Sequence, residues 1–221
     1  MNFKINFVIK STFMKQQQDY IRDISEIRSM MERSTKFLSL SGWAGIMAGI
    51  YALIGAYIAY DVLYFNPDEI VYESFSRGIY SEDIFELLFL AGAVLLLAIG
   101  TAVYFSNRKA RRQNETLWNA TSKRLLLNMG VPLVVGGVFI LILLSKGLIG
   151  LVAPATLLFY GLSLYVASRY TYEDVKILGL VQITLGLISS YYIGYGLLFW
   201  AIGFGVCHII YGIYVHFKYE R

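Results

Sequence analysis

The chain has 221 residues, of which 57% are hydrophobic, 16% aromatic and only 15% charged. Water-soluble domains carry about 45–50% apolar and about 25% charged residues, so this composition excludes an ordinary soluble domain and a disordered chain. The one cysteine, Cys207, excludes an internal disulfide scaffold.

Residues 1–36 are predicted to form a cytoplasmic segment without a signal-peptide core, because Lys10 interrupts their short apolar run. Met14 offers a second start of translation. From residue 20 onward, apolar side chains recur at alternating steps of four and three, which predicts an amphipathic helix on the inner leaflet. The alternatives are a short coiled coil that makes a homo-oligomer, or a dock for a cytoplasmic protein partner through residues 20–36.

Six apolar blocks follow, at 37–60, 84–105, 125–144, 148–168, 177–195 and 196–217. Each is about 20 residues long, the length at which a helix crosses about 30 Å of hydrocarbon. Segments such as 133–144 lack the polar face that a helix of a soluble protein needs. The sequence therefore predicts an all-α integral membrane domain over residues 37–221, with six transmembrane helices arranged as three tandem hairpins.

Basic residues mark one side of the predicted membrane. All lysines and arginines except Arg77 and Lys146 lie before the first block, after the last, or in the connections that follow the second and fourth. Because cytoplasmic segments carry this excess, we expect a multi-pass protein of the inner or plasma membrane with both termini in the cytoplasm. The basic run after the second block is predicted to contact lipid headgroups and not nucleic acid; it comprises Arg108, Lys109, Arg111 and Arg112.

Glycines recur seven residues apart in the first, third and fifth blocks. Seven residues are close to two helical turns, so each pair shares one face and lets another helix approach closely. The predicted helix-packing residues are Gly42 and Gly49, Gly130 and Gly137, and Gly179 and Gly186, with Gly45 adding a GxxxG pair to Gly49.

The returning blocks also resemble one another. Gly100, Val103 and Phe105 match Gly212, Val215 and Phe217, while Tyr160-Gly161 matches Tyr211-Gly212. These matches predict a two-helix hairpin used three times about an axis along the membrane normal. Chance alignment of the glycines is the alternative.

The stretch 45–55 with Pro67 beyond it, and the stretch 178–186 with Tyr211-Gly212-Ile213, resemble the six-span bacterial membrane proteins of the acid-resistance HdeD family. The resemblance covers the membrane portion. It implies an inner-membrane protein with a stress-related role and no established catalytic residue.

Chemistry-bearing residues are rare within the blocks, which argues against an enzyme or an ion pump. Asn128, Gln182 and His208 are predicted to hydrogen-bond between helices or, alternatively, to line a small polar pocket. His208 has no facing histidine for haem, and Cys207, His208 and His216 are too few for structural zinc. We therefore expect no catalytic residue, no cofactor and no metal.

Three functions are compatible with these features. The first is a non-enzymatic membrane protein that acts through helix packing, lipid contact or a partner. The second is a small transporter or channel for neutral or apolar solutes along the pseudo-threefold centre. The third is a membrane anchor or sensor for a cytoplasmic regulator.

Overall fold

The computed structural model describes residues 24, 37, 40–62, 82–112 and 117–220, and these contain helices and turns but no strand. The predicted amphipathic segment and its partner site therefore lie outside the described residues, except for Ile24. The helices are α1 (Gly42–Tyr57), α2 (Glu82–Arg112), α3 (Ala120–Ser145), α4 (Val152–Ala167), α5 (Asp174–Tyr191), α6 (Gly196–Trp200) and α7 (His208–Tyr219).

Wide and narrow turns extend several of these helices. A π-helical turn, Ile58–Val62, follows α1, and 3₁₀ turns, Ile149–Leu151 and Ile193–Tyr195, precede α4 and α6. A longer π-helical segment, Ala201–Cys207, joins α6 to α7 and is called the π segment below. Together, α6, the π segment and α7 form one continuous helical rod, called the final rod below.

Six helices in the described part of the chain are long and apolar enough to cross a membrane, which confirms the predicted all-α, membrane-type architecture. They are Gly42–Asp61, Phe85–Arg112, Ala120–Ser145, Ile149–Ala167, Asp174–Tyr191 and Ile193–Tyr219.

The helix ends differ from the ends of the apolar blocks. α2 continues seven residues beyond Phe105 to Arg112, so the basic run is helical and not a loop. Lysine and arginine are good helix formers, and cations at a helix C-terminus are stabilised by the helix dipole. Hydropathy locates the border of the apolar stretch, whereas the helix ends only where its backbone groups find caps.

Both ends of α3 carry such caps. At its start, Asn119 Oδ1 accepts from the Ser122 amide over 2.8 Å while Ser122 Oγ accepts from the Asn119 amide over 2.9 Å. At its end, Gly147 adopts a φ of 71°, and the amides of Gly147 and Leu148 donate to the carbonyls of Leu144 and Leu143. This tight turn sends the chain directly into α4.

The helices pack in two groups. α1 packs against α2, the π segment and α7, whereas α4 packs against α3 and α5. α6 touches α4 and α5 and so links the two groups. The outer helices α2 and α3 make hardly any contact with each other in the described residues, and none of the apolar stretch of α2 is buried.

Charge distinguishes the two ends of the bundle. The end at which α1 begins and α7 finishes, called the basic end, carries every described lysine and arginine except Lys146. Lys146 lies at the opposite end, in the turn between α3 and α4.

Candidate functional site

A buried polar network lies in the middle of the last span, at the π segment. Its centre is the carbonyl oxygen of Gly203, to which Gln182 Nε2 of α5 donates over 2.7 Å and His208 Nδ1 donates over 2.9 Å. His208 Nε2 lies 2.8 Å from the hydroxyl oxygen of Tyr160 on α4. The network therefore connects α4, α5 and the final rod.

The partners of His208 determine which ring nitrogen carries the proton. A backbone carbonyl can only accept, so Nδ1 must be the protonated nitrogen. In the neutral imidazole, Nε2 then accepts a hydrogen bond from Tyr160. Both nitrogens are occupied, and His208 has no lone pair left for a metal or a haem iron.

The space around this network is closed. Gln182 Oε1 is buried and has no hydrogen-bond partner among the described residues. A β-carbon at Gly203 would lie 2.6 Å from this oxygen and 2.5 Å from Leu157 Cδ2. Position 203 therefore requires glycine, because any side chain would displace the residues that reach its carbonyl.

Of the predicted polar pocket, the structure brings Gln182 and His208 together and leaves Asn128 elsewhere. Asn128 is exposed on α3, and its Nδ2 donates over 2.8 Å to the carbonyl of Arg124, one turn earlier. The prediction that groups Asn128 with the other two is wrong. Its amide donates to a carbonyl of its own helix, and its side chain is exposed and not packed against another helix of the described residues.

The predicted glycines of α1 lie at its crossing with the final rod. A β-carbon at Gly42 would collide with the Gly212 carbonyl oxygen, and one at Gly49 would lie 2.6 Å from the Gly205 carbonyl oxygen. A β-carbon at Gly45 would lie 3.2 Å from the Cα of Gly212 as well. Three predicted positions therefore face a second set of glycines, which are themselves seven residues apart.

The predicted glycines of α5 lie at its crossing with α4. A β-carbon at Gly179 would lie 2.8 Å from the Gly161 carbonyl oxygen, and one at Gly186 would lie 2.8 Å from Leu158 Cγ. The two helices approach so closely that backbone contacts backbone.

The predicted packing face of α3 is wrong. A β-carbon at Gly130 or Gly137 would meet no atom of the described residues within 4 Å, whereas one at Gly136 would collide with Phe159 of α4. Adjacent helical residues point about 100° apart, so the neighbouring glycine and not the predicted pair faces the partner helix.

A second polar cluster lies at the basic end, where α2 meets the ends of α1 and α7. Lys109 Nζ is 3.2 Å from Glu220 Oε1 and 2.8 Å from the Leu40 carbonyl oxygen. The same Glu220 oxygen accepts from the Gly42 amide over 3.0 Å, while His216 Nδ1 lies 2.8 Å from Glu220 Oε2. Each charged group of this cluster therefore has several partners.

Burial opposes the charge of Glu220, but hydrogen bonds from His216, the Gly42 amide and Lys109 outweigh it and hold the pKa of this carboxyl below its usual value. Glu220 is ionised at neutral pH and ties α7 to both α1 and α2. Lys109 thus bonds to residues beside the ends of two other helices, whereas Arg111 is exposed.

An apolar cavity of about 160 Å³ lies toward the opposite end, between α1, α2, α4 and α6. Its walls are mainly aliphatic, and of the described side chains that line it only those of Thr156 and Trp200 carry a polar atom. The Thr156 hydroxyl donates to the Ala153 carbonyl over 2.7 Å and is not free. Cavities of this size with apolar walls stay dry and bind apolar molecules.

Sequence patterns indicated part of these sites and missed the rest. They located Gln182 and His208 as polar residues in apolar blocks, but gave no signal that Tyr160 or the Gly203 carbonyl would be their hydrogen-bond partner. Glu220 could have been found as the one acid beyond the last block, four residues after His216. Nothing in the periodicity marked the cavity, since its walls are ordinary aliphatic residues.

No metal-binding group of three or more histidine, cysteine or acidic side chains occurs within the described ranges. Comparison of the chain with protein-family models, with curated proteins and with solved structures found no match.

Proposed function

We propose that this is a non-enzymatic multi-pass protein of the inner membrane that holds an apolar chain, such as the acyl chain of a lipid, in the cavity between α1, α2, α4 and α6. The helices supply the cavity wall, and the chemistry of the ligand follows from that wall. Both termini lie in the cytoplasm in this proposal, because the basic end carries nearly all described cations.

The observation that carries the proposal is the composition of the cavity. Ala56, Val94, Ile149 and Leu197 contribute to its wall, and no charged side chain of the described residues does. A polar or charged solute would lose its hydration there without gaining a hydrogen bond, whereas an apolar chain gains contact at no such cost.

Access from the lipid is supported by the outer helices. Leu88 lines the cavity and is 47% exposed on α2. In the structure Gly42 faces Gly212 and Gly179 faces Gly161. The equivalent residues of the predicted repeat in the remaining two helices are Gly130 of α3 and Gly100 of α2. β-carbons at Gly100 and Gly130 would meet nothing within 4 Å. The third crossing is therefore not formed in the described residues, and α2 and α3 make hardly any contact along their length.

Transport of a neutral or apolar solute is the second candidate, and the π segment favours it. π-helical turns inside longer helices are often found at functional sites, where the wider turn can shift. Here the turn holds the Gly203 carbonyl on which α5 and the rod converge. A stress-related role, as in the family that the sequence resembles, and the anchor or sensor function stay predictions.

Fluorescence of Trp200 tests the cavity directly, since this indole lines it. Replacing Trp43 and Trp118 by phenylalanine leaves Trp200 as the sole tryptophan. In detergent, a brominated fatty acid should quench it with a saturable dependence on concentration. Ala91→Phe, which fills the cavity from α2, should weaken this quenching at least fivefold.

The matched control is Leu96→Phe, which adds a ring to a 72% exposed position on the same helix outside the cavity. This variant should be quenched like the parent. Quenching that rises without saturation, or that falls equally in both variants, would show contact with the protein surface and reject a cavity ligand.

A further inference from the structure

A polar cleft of about 600 Å³ opens at the basic end, between the start of α1 and the ends of α2 and α7. It lies at the other end of the bundle from the apolar cavity and does not depend on the ligand proposed there. Its walls combine two aromatic residues, Trp43 and Phe105, with the charged residues of α2 and α7.

The charges inside the cleft do not cancel. Among the described residues, Glu220 is the one carboxylate in its wall, and this group already accepts hydrogen bonds from Lys109, His216 and the Gly42 amide. Arg108 and Arg112 line the same cleft, and neither forms an ion pair with a carboxylate of the described residues. Two positive charges therefore face the cleft without compensation.

The spacing of the two arginines fits a phosphate. Residues four apart lie on one face of a helix, so both guanidinium groups reach the same side of α2. Each guanidinium is a planar fork of N–H donors that matches two oxygens of a phosphate group. A pair of such forks can hold a phosphate from two directions.

The surroundings favour a phosphate that belongs to a lipid. Trp43 is 47% exposed and contacts His216 edge-on, with ring centroids 5.5 Å apart. Indole rings prefer the boundary between headgroups and hydrocarbon. Further into the bundle, Phe105 lines the cleft, and Leu97, about three turns from Arg108 on the same face of α2, is 54% exposed. Both side chains suit an acyl chain and not water.

We propose that this cleft binds the phosphate of an anionic phospholipid, with Arg108 and Arg112 as its ligands and Trp43 beside the glycerol region. Lys109 shapes the site by holding Glu220, and the adjacent Arg111 takes no part.

Native mass spectrometry of protein released from nanodiscs tests the site. Discs of phosphatidylcholine containing one tenth phosphatidylglycerol should yield protein that retains one phosphatidylglycerol. Arg108→Gln/Arg112→Gln should lower this retention at least tenfold. The control Arg111→Gln/Arg124→Gln removes the same charge at two exposed positions and should leave retention unchanged.

Three results would overturn the proposal. Equal losses in the two double variants would indicate diffuse attraction between the basic end and the membrane. Displacement of the lipid by millimolar inorganic phosphate would assign the cleft to the free anion. If the glutamine variant does not fold, Arg108→Lys/Arg112→Lys replaces it, because this variant keeps the charge. We expect it to lower lipid retention fivefold, and unchanged retention would refute recognition by the guanidinium forks.

Discussion

Gly161 and Gly179 meet face to face where α4 crosses α5: a β-carbon on Gly161 would lie 2.7 Å from the carbonyl oxygen of Gly179, and one on Gly179 would lie 2.8 Å from that of Gly161. The contact is reciprocal and involves backbone on both sides. Lipid gives apolar helices no hydrophobic reason to associate, so van der Waals contact of this kind stabilises the crossing. A side chain at either position must push the helices apart.

Gly179→Leu should therefore destabilise the bundle by about 1–3 kcal/mol, the usual cost of overpacking. Unfolding in detergent measures this effect. The matched control is Gly137→Leu, since a β-carbon there has open space within 4 Å. Equal stability of the two variants would contradict the assigned crossing.

The glycines of α1, α3 and α5 also show what a sequence can predict. A seven-residue period identifies residues that share a face, and in α1 and α5 these residues lie where another helix crosses closely. It does not say toward which neighbour that face points. In α3 the period selects Gly130 and Gly137, while the contact with Phe159 is made by Gly136. Direction depends on the positions of other helices, which no local pattern contains.

The same reasoning applies to polar residues. Gln182, His208 and Asn128 are equivalent by sequence, as single polar residues in apolar blocks. Only the first two meet, because both reach one carbonyl that the π segment presents. The partner atom belongs to the backbone, and a backbone carbonyl has no signature in sequence. The number of membrane-length helices, by contrast, follows from hydropathy alone and was predicted correctly, whereas the helix ends depend on caps that hydropathy does not contain.

Tyr160→Phe tests the polar network. The change removes the hydroxyl that donates to His208 Nε2 and leaves a buried acceptor without a partner. We expect the free energy of unfolding to fall by about 1–2 kcal/mol. The control Tyr165→Phe is on the same helix, and its hydroxyl has no hydrogen bond to the described residues.

A double-mutant cycle with His208→Ala separates the hydrogen bond from the lost packing of the two rings. The coupling energy between Tyr160→Phe and His208→Ala should be about 1 kcal/mol. Additive effects would mean that the 2.8 Å contact contributes nothing to stability.

Glu220 should make the stability of the protein depend on pH below about 5. Its pKa is held below the usual value of about 4.3 in the folded state, so its contribution is complete above that value. The contribution is lost as the pH falls through the lower pKa of the folded protein, because protonation ends the ion pair with Lys109.

Thermal unfolding of the parent and of Glu220→Gln between pH 7 and pH 3 measures this dependence. The parent should be more stable at neutral pH, and the difference should shrink on acidification below about pH 4.3. A difference that stays constant to pH 3 would show that Glu220 carries no stabilising charge. Asp61→Asn is the control, since Asp61 lies at the opposite end and, among the described residues, accepts a hydrogen bond from Tyr57 alone.

Cysteine labelling tests the proposed orientation, and one exposed position at each end of the bundle supplies a matched pair of sites. In a Cys207→Ala background the chain has no other cysteine. Lys146→Cys lies in the exposed turn between α3 and α4, and Arg111→Cys lies at the exposed end of α2. The positive-inside rule places the first outside and the second in the cytoplasm.

A membrane-impermeant maleimide added to intact spheroplasts should therefore label Lys146→Cys at once and Arg111→Cys only after permeabilisation. The two positions report in opposite directions, so poor reactivity of one site cannot imitate the expected pattern. The reverse pattern would invert the protein in the membrane, and would place the arginine-lined cleft against the outer leaflet. Labelling of both sites from outside would mean that an even number of spans separates two positions that the fold places on opposite sides of one span.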